Sequence, residues 1–150
     1  MKLAEALIER ADLKARIEQI VSRMKENALV QEGDPPAEDV AGLGSIYESM
    51  MAELETLIVR INKTNGQTML DDISLAEAIA KRDCLKAKIS AYRAVKEYSL
   101  TRRDRYSSSE IKYVRTTDIT KLQCMIDDYS KQYRELDTKI QERNWSAELL

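Results

Sequence analysis

Two stretches of this chain carry an unbroken heptad stripe of apolar side chains. Val40, Leu43, Tyr47, Met50, Leu54, Leu57 and Ile61 fill seven of seven seam positions, and Ile119, Leu122, Ile126, Tyr129, Tyr133, Leu136 and Ile140 do the same. Apolar residues make up 43% of the sequence, so chance fills seven of seven in a given register with a probability of about 0.003. Steps of three and four place a stripe along one side of an α-helix. A mean period of 3.5 further predicts helices that cross at about 20° in a left-handed sense.

Two more segments carry the same signal. Between Lys2 and Leu29, the residues Leu3, Ala6, Leu13, Ile17, Ile20 and Met24 form a stripe that Arg10 interrupts and that Leu7 and Val21 widen. From Ser74 to about Tyr98–Leu100, Leu75, Ala78, Ile79, Leu85, Ile89, Tyr92 and Val95 give a buried side. Ala76, Ala80, Ala87, Ala91 and Ala94 are expected to broaden it. Ser45 with Glu48 and Ser74 with Glu77 have capping-box spacing, which places helix starts there, with Asp39 as an alternative start for the former. The last helix is expected from Asp118 to Arg143. Gly33, Pro35 and Pro36 force a turn after the first helix, and Asn65-Gly66 closes the second.

The expected architecture is therefore all-α. Four long amphipathic helices lie in an antiparallel bundle or coiled-coil arrangement over a single domain, 1–150. Composition agrees, because four glycines, two prolines and 5% aromatic residues are too few for a sandwich or barrel. Long complete seams also predict self-association, most simply as a dimer.

Residues 101–117 break the pattern. They have no helical stripe, and Ile111, Tyr113 and Val114 read as a short extended piece. Arg102, Arg103, Arg105, Lys112 and Arg115 crowd into fourteen positions with Tyr106 and Tyr113. Net charge is −2 overall, but residues 73–116 hold 11 basic and 5 acidic side chains, while 31–72 hold 2 basic and 9 acidic. Arg102, Arg103, Arg105, Tyr106, Lys112 and Arg115 are thus the candidate residues for an anion or partner. Guanidiniums hold phosphates and tyrosines offer stacking faces to a nucleic acid. The plainer reading is a solvated loop whose arginines pair with the acidic stretch or with a second subunit.

The sequence offers no catalytic constellation. It has no histidine, hence neither the commonest base nor the commonest metal ligand. Asp71-Asp72 suits a helix N-terminus, and Asp127-Asp128 diverge on a helix, so neither predicts a metal site. Neither a cofactor nor a metal is expected. Cys84 and Cys124 read as reduced, buried small hydrophobes. Met1–Ile20 is charged throughout and no run reaches 18 apolar residues, which predicts a cytoplasmic protein without a membrane span.

Several blocks taken together carry a resemblance: residues 1–13, Asn27 to Asp34, Ile61 to Asn65, Asp104 to Ser107 with Ser109 to Ile111, Ile140 to Glu142, Asn144-Trp145 and Glu148 to Leu150. The chain resembles a family of small bacterial helical proteins of unknown function, some of which carry the label septicolysin. The likeness spans essentially the whole chain and implies no catalytic residues. The label suggests a pore-forming cytolysin as a remote alternative. One tryptophan, Trp145, and heavily charged helices argue against it. Trp145, Leu149 and Leu150 are better read as a C-terminal clip, folded back onto the helices or onto a neighbouring subunit.

Overall fold

A computed structural model describes residues 1–101 and 113–150. The four expected helices are present: α1 (Leu3–Asn27), α2 (Val40–Gln67), α3 (Leu75–Leu100) and α4 (Ile119–Ser146). Between α2 and α3 lie two short strands, β1 (Met69–Leu70) and β2 (Ile73–Ser74), paired antiparallel with Met69 opposite Ser74 and Leu70 opposite Ile73. The fold is all-α with this small hairpin added. The chain divides into two compact units, Met1–Ala76 with Gln141–Leu150, and Glu77–Ile140.

In the first unit α1 and α2 form an antiparallel hairpin. Leu13, Ile17 and Ile20 of α1 pack with Leu43, Met50 and Leu54 of α2, flanked by Met24, Tyr47 and Ile58. None of the seven predicted seam residues of α2 is exposed. The turn is held by polar side chains. Asn27 Nδ2 donates to the Arg23 carbonyl at 2.9 Å, its Oδ1 accepts from the Glu38 amide at 2.9 Å, and Arg23 forms an ion pair with Glu38. Gly33 adopts a φ of 94° in this turn, a conformation that costs glycine little.

Helix α2 starts earlier than its Ser45–Glu48 spacing suggests. Asp39 is the N-cap, and its carboxylate accepts from the amides of Ala41 and Gly42 at 3.1 and 2.9 Å. A Cβ on Gly42 would stand 3.0 Å from Asp39 Oδ2, so the glycine that weakens helix propensity also makes room for the cap. Ser45 instead lies within the helix and donates to the Ala41 carbonyl. Asn65-Gly66, read as a turn, lies in the last turn of α2. The reversal falls later, at Asp71-Asp72, where Asp71 takes a φ of 54°, a region that Asp tolerates better than most side chains. These aspartates are the loop of the β1–β2 hairpin, and β2 separates them from α3.

The residues after α4 return to the same unit. The Leu3 amide donates to the Ala147 carbonyl and the Leu149 amide to that of Met1. The Leu150 amide donates to Thr64 Oγ1 at 3.0 Å, and Arg60 Nε donates to the Leu150 carbonyl at 2.9 Å. Thr64 is fully buried, and its hydroxyl donates in turn to the Arg60 carbonyl. The expected clip is therefore real, but Trp145 is not its anchor, being 57% exposed. Helix α4 continues to Ser146, and this phase buries Asn144 and Ala147 while turning the indole outward.

In the second unit α3 and α4 run antiparallel. Arg82 bonds Asp137, Tyr92 stacks on Tyr129 with ring centroids 6.0 Å apart, and Lys96 bonds Gln123. Each pair of residue numbers sums to about 220, as an antiparallel register requires. Ala78, Leu85 and Ile89 of α3 and Ile126 and Ile140 of α4 are buried. Lys88 Nζ lies 5.3 Å from the centre of the Tyr129 ring, a cation–π contact. Burial pulls the Arg82 guanidinium down, but Asp83 and Asp137 together outweigh it and leave its pKa raised.

Three expectations about this unit are corrected. Ala80, Ala87, Ala91 and Ala94 do not broaden a buried side and are exposed, as are Val95 and, in the first unit, Ala76. Cys84 and Cys124 are likewise exposed rather than buried. The covered face of α3 is the narrow line of Ala78, Arg82, Leu85, Ile89, Tyr92 and Lys96.

Candidate functional site

Two features of the described residues stand apart from the packing, one in each unit.

In the first unit an open groove of about 480 Å³ is lined by Gln67, Thr68, Met69, Arg143, Ser146, Ala147, Glu148 and Leu150. One wall is the junction of α2 and β1, and the other is the end of α4 with the residues that follow. Helix α4 supplies it by continuing its stripe past Ile140, where positions 143 and 144 carry Arg and Asn instead of apolar residues. Arg143 Nε and Asn144 Oδ1 are buried without a hydrogen-bond partner. Asn144 is 5% exposed. Glu148 is already engaged: Lys2 Nζ lies 2.5 Å from one oxygen and the Met1 ammonium 3.4 Å from the other. The Lys2 hydrogen bond and charge hold the Glu148 carboxyl below the usual carboxylate range; desolvation opposes them, and the Met1 ammonium adds the least. A smaller hollow of about 260 Å³ lies between α1 and α2 against Val21, Met24, Val40 and Tyr47.

In the second unit the outer face of α3 carries a second stripe. Ala80, Cys84, Ala87, Ala91, Ala94 and Tyr98 follow one another at steps of four and three, and all six are exposed. The covered line through Ala78, Arg82, Leu85, Ile89, Tyr92 and Lys96 is displaced from it by two residues, or about 200° of helical rotation. One helix thus bears two seams on opposite sides, and α4 covers one of them.

Of the residues singled out in the basic segment, Arg102, Arg103, Arg105, Tyr106 and Lys112 lie outside the described residues. Arg115 is exposed and its Nε donates to the Ser99 carbonyl at 3.2 Å. That places its charge at the C-terminal end of α3, where cations are favoured. Tyr113 and Val114 are exposed and belong to no strand. The carboxylates of Asp127 and Asp128 are each engaged by a glutamine four residues away, Gln123 and Gln132. Among the described residues no cluster of three or more metal-binding side chains occurs.

Sequence reasoning missed the groove. The available cue was Arg143-Asn144 following Ile140 where the stripe should continue, since a polar pair in a seam marks either a helix end or a buried polar contact. It also missed the outer stripe of α3 as an exposed feature, although every member but Tyr98 was visible as a small apolar residue at helical spacing.

Taken together, the fold and these features define an all-α protein of two antiparallel helical hairpins. The chain belongs to the family of unknown function DUF6847, whose match covers residues 10–149. It is similar to a solved structure described as a functionally unknown conserved protein from Corynebacterium diphtheriae, at 38% identity, a TM-score of 0.92, and coverage of 100% of this chain and 99% of that one. No curated protein matches the chain.

Proposed function

We propose that this protein acts by binding rather than by catalysis, and that its first partner is a second copy of itself docked along the outer face of α3. The observation that carries this reading is the exposed stripe Ala80, Cys84, Ala87, Ala91, Ala94 and Tyr98. Small side chains at five of the six seam positions let two helix backbones approach closely, and Tyr98, 68% exposed, adds a large apolar surface at one end. The heptad seams recognised in the sequence are largely consumed within each hairpin, so the outer stripe is the one left for another chain.

The flanking charges favour a parallel pair. Lys81 and Lys88 line one side of the stripe, and Asp83 and Glu97 line the other. In a parallel pair each side meets the opposite side of the partner, bringing Asp83 toward Lys88 of the other copy. An antiparallel pair sets Lys88 against Lys88 and Asp83 against Glu97, which repels. Both Arg82 hydrogen bonds to Asp83 fall on Oδ1, which leaves Oδ2 for such a contact. Non-enzymatic action rests on the residue inventory, above all the lack of histidine. Nothing in the helices favours the cytolysin reading: among the described residues none is long and apolar enough to cross a membrane.

Sedimentation of the wild-type chain across a concentration series, beside Ala91→Glu, tests the proposal. A dimer that Ala91→Glu dissociates is expected. Mild oxidation should link two chains through Cys84, a link that Cys84→Ser abolishes and Cys124→Ser leaves intact. A chain that stays monomeric at every concentration overturns the pairing, and a dimer that resists Cys84 cross-linking overturns the parallel register.

A further inference from the structure

The hollow between α1 and α2 has an apolar lining. Val21 and Met24 of α1, Ala28 at its C-cap, and Val40 and Tyr47 of α2 form it, and Lys25 adds its alkyl stem to one wall. Its volume of about 260 Å³ falls below the roughly 300–1,000 Å³ of ordinary small-molecule sites and suits one or two aliphatic side chains. Apolar surface continues past its mouth through Leu29, 88% exposed, and through Met51, one turn beyond Tyr47. The surroundings are acidic. Between Val21 and Glu48 the chain carries six acidic and two basic side chains, and one of those two, Arg23, is already paired with Glu38. Glu18 precedes Val21 by one turn, Glu48 follows Tyr47, and the loop adds Glu32 and Asp34, all four exposed. We propose that this hollow receives a basic amphipathic helix of another protein, which inserts aliphatic side chains between α1 and α2 and lays lysines or arginines over the acidic rim.

Shape and charge together select this partner. Two antiparallel helices leave a groove into which the side-chain ridge of a third helix fits, and anchors one turn apart are what an amphipathic helix offers to such a groove. Met24 is unbranched and polarisable and adapts to the side chain it meets. Gly44, where a Cβ would stand 3.9 Å from Met24 Cε, leaves the α2 wall without a side chain beside it. The acidic rim repels an acidic helix and steers a basic one toward the hollow. A second copy of this chain fits poorly, because the exposed face of α3 carries mainly alanines, too short to fill the hollow. The site shares no residue with that outer stripe, so it stands or falls apart from the pairing proposed above.

The test is a titration of the full ¹⁵N-labelled chain with a synthetic leucine–lysine peptide whose leucines recur at helical spacing. Two control peptides accompany it, one with the same residues in strict alternation and one with glutamate in place of lysine. The helical basic peptide should give saturable shifts confined to the amides from Glu18 to Val30 and from Val40 to Met51. Ala28→Phe fills the mouth of the hollow from an exposed position without changing charge, and should weaken binding by about tenfold or more, the loss of one buried anchor. Glu18→Gln with Glu48→Gln leaves the hollow open, and should weaken binding by about threefold and reduce its salt dependence. The spectrum of each variant reports whether it is folded. Shifts centred elsewhere overturn the proposal, as does either control peptide binding as tightly as the helical basic one. So does unchanged binding in folded Ala28→Phe. A change in the sedimentation of the chain alone on Ala28→Phe would place a second copy in the hollow instead, and would overturn it equally.

Discussion

The amide of Leu3 donates to the carbonyl of Ala147 across 2.9 Å. This bond joins the first residue of α1 to the residue just past α4, and Leu3 itself is fully buried. It satisfies one of the amide donors that every helix N-terminus leaves unpaired. The same segment continues to Thr64, whose hydroxyl accepts from the Leu150 amide and donates to the Arg60 carbonyl. Replacing Thr64 with the near-isosteric valine removes both bonds at an unexposed position. A loss of about 1–2 kcal/mol in urea unfolding is expected, with faster amide exchange at Leu150. Unchanged stability and exchange would show that the segment is held by something else.

The terminal segment is anchored by small and polar groups, so its aromatic residue should matter little. Trp145→Ala should change stability by less than about 0.5 kcal/mol, as surface substitutions usually do. Ile61→Ala removes a side chain that is 1% exposed and should cost about 2–5 kcal/mol. Chemical denaturation of the two variants side by side decides the matter, and a large loss in Trp145→Ala would restore the indole as the anchor.

Acid should weaken the first unit through two carboxylates. Hydrogen bonding to Arg23 lowers the Glu38 pKa, and hydrogen bonding to Lys2 lowers that of Glu148. A carboxyl depressed in the folded state binds protons more tightly when unfolded. Its stabilisation is therefore complete above the unfolded value of about 4.3 and fades as pH falls through the lower folded value. Tm should decline below about pH 4, and Glu38→Gln and Glu148→Gln should each flatten that decline. Both pairs are exposed, so salt should diminish the difference. Acid limbs that superimpose for all three proteins would remove these pairs from the account.

In the second unit Tyr92 and Tyr129 stack between the antiparallel helices at 6.0 Å with an interplanar angle of 22°. A double-mutant cycle through Tyr92→Ala and Tyr129→Ala should give a coupling of about 0.5–1.5 kcal/mol. Lys88→Gln, which takes the cation from the Tyr129 ring, should cost about 0.5 kcal/mol more in the presence of Tyr129 than in its absence. Additive single substitutions would mean that the rings are neighbours without being partners.

Much of the fold was legible in the chain's periodicity. The seam of α2 is covered at every predicted position, and that of α4 from Ile119 to Ile140 has no exposed member. Helix bounds were less legible because caps compete. Asp39, Ser45 and Ser74 all look like N-caps in sequence, and at Asp39 the free amides of Ala41 and Gly42 settled the choice. The β1–β2 hairpin left only a faint trace, two aspartates between Met69-Leu70 and Ile73-Ser74. The basic segment was conspicuous by charge, yet Arg115 is engaged with the end of α3.

The apolar period alone settles that four helices form and which large side chains they bury. Burial of Leu, Ile and Tyr side chains yields free energy in proportion to apolar area, about 25 cal/mol per Å², and such residues on a regular period leave little choice of face. Residues that gain little from burial, or that carry polar groups, are placed instead by contacts between segments distant in the chain. Ala80, Ala87, Ala91 and Ala94 of α3 go where Leu85 and Ile89 do not point. Trp145 turns outward because Asn144 and Ala147 take the inner side. Arg143 faces a groove because α2, β1 and the end of α4 converge there, and no local pattern encodes a meeting of segments so far apart in the chain.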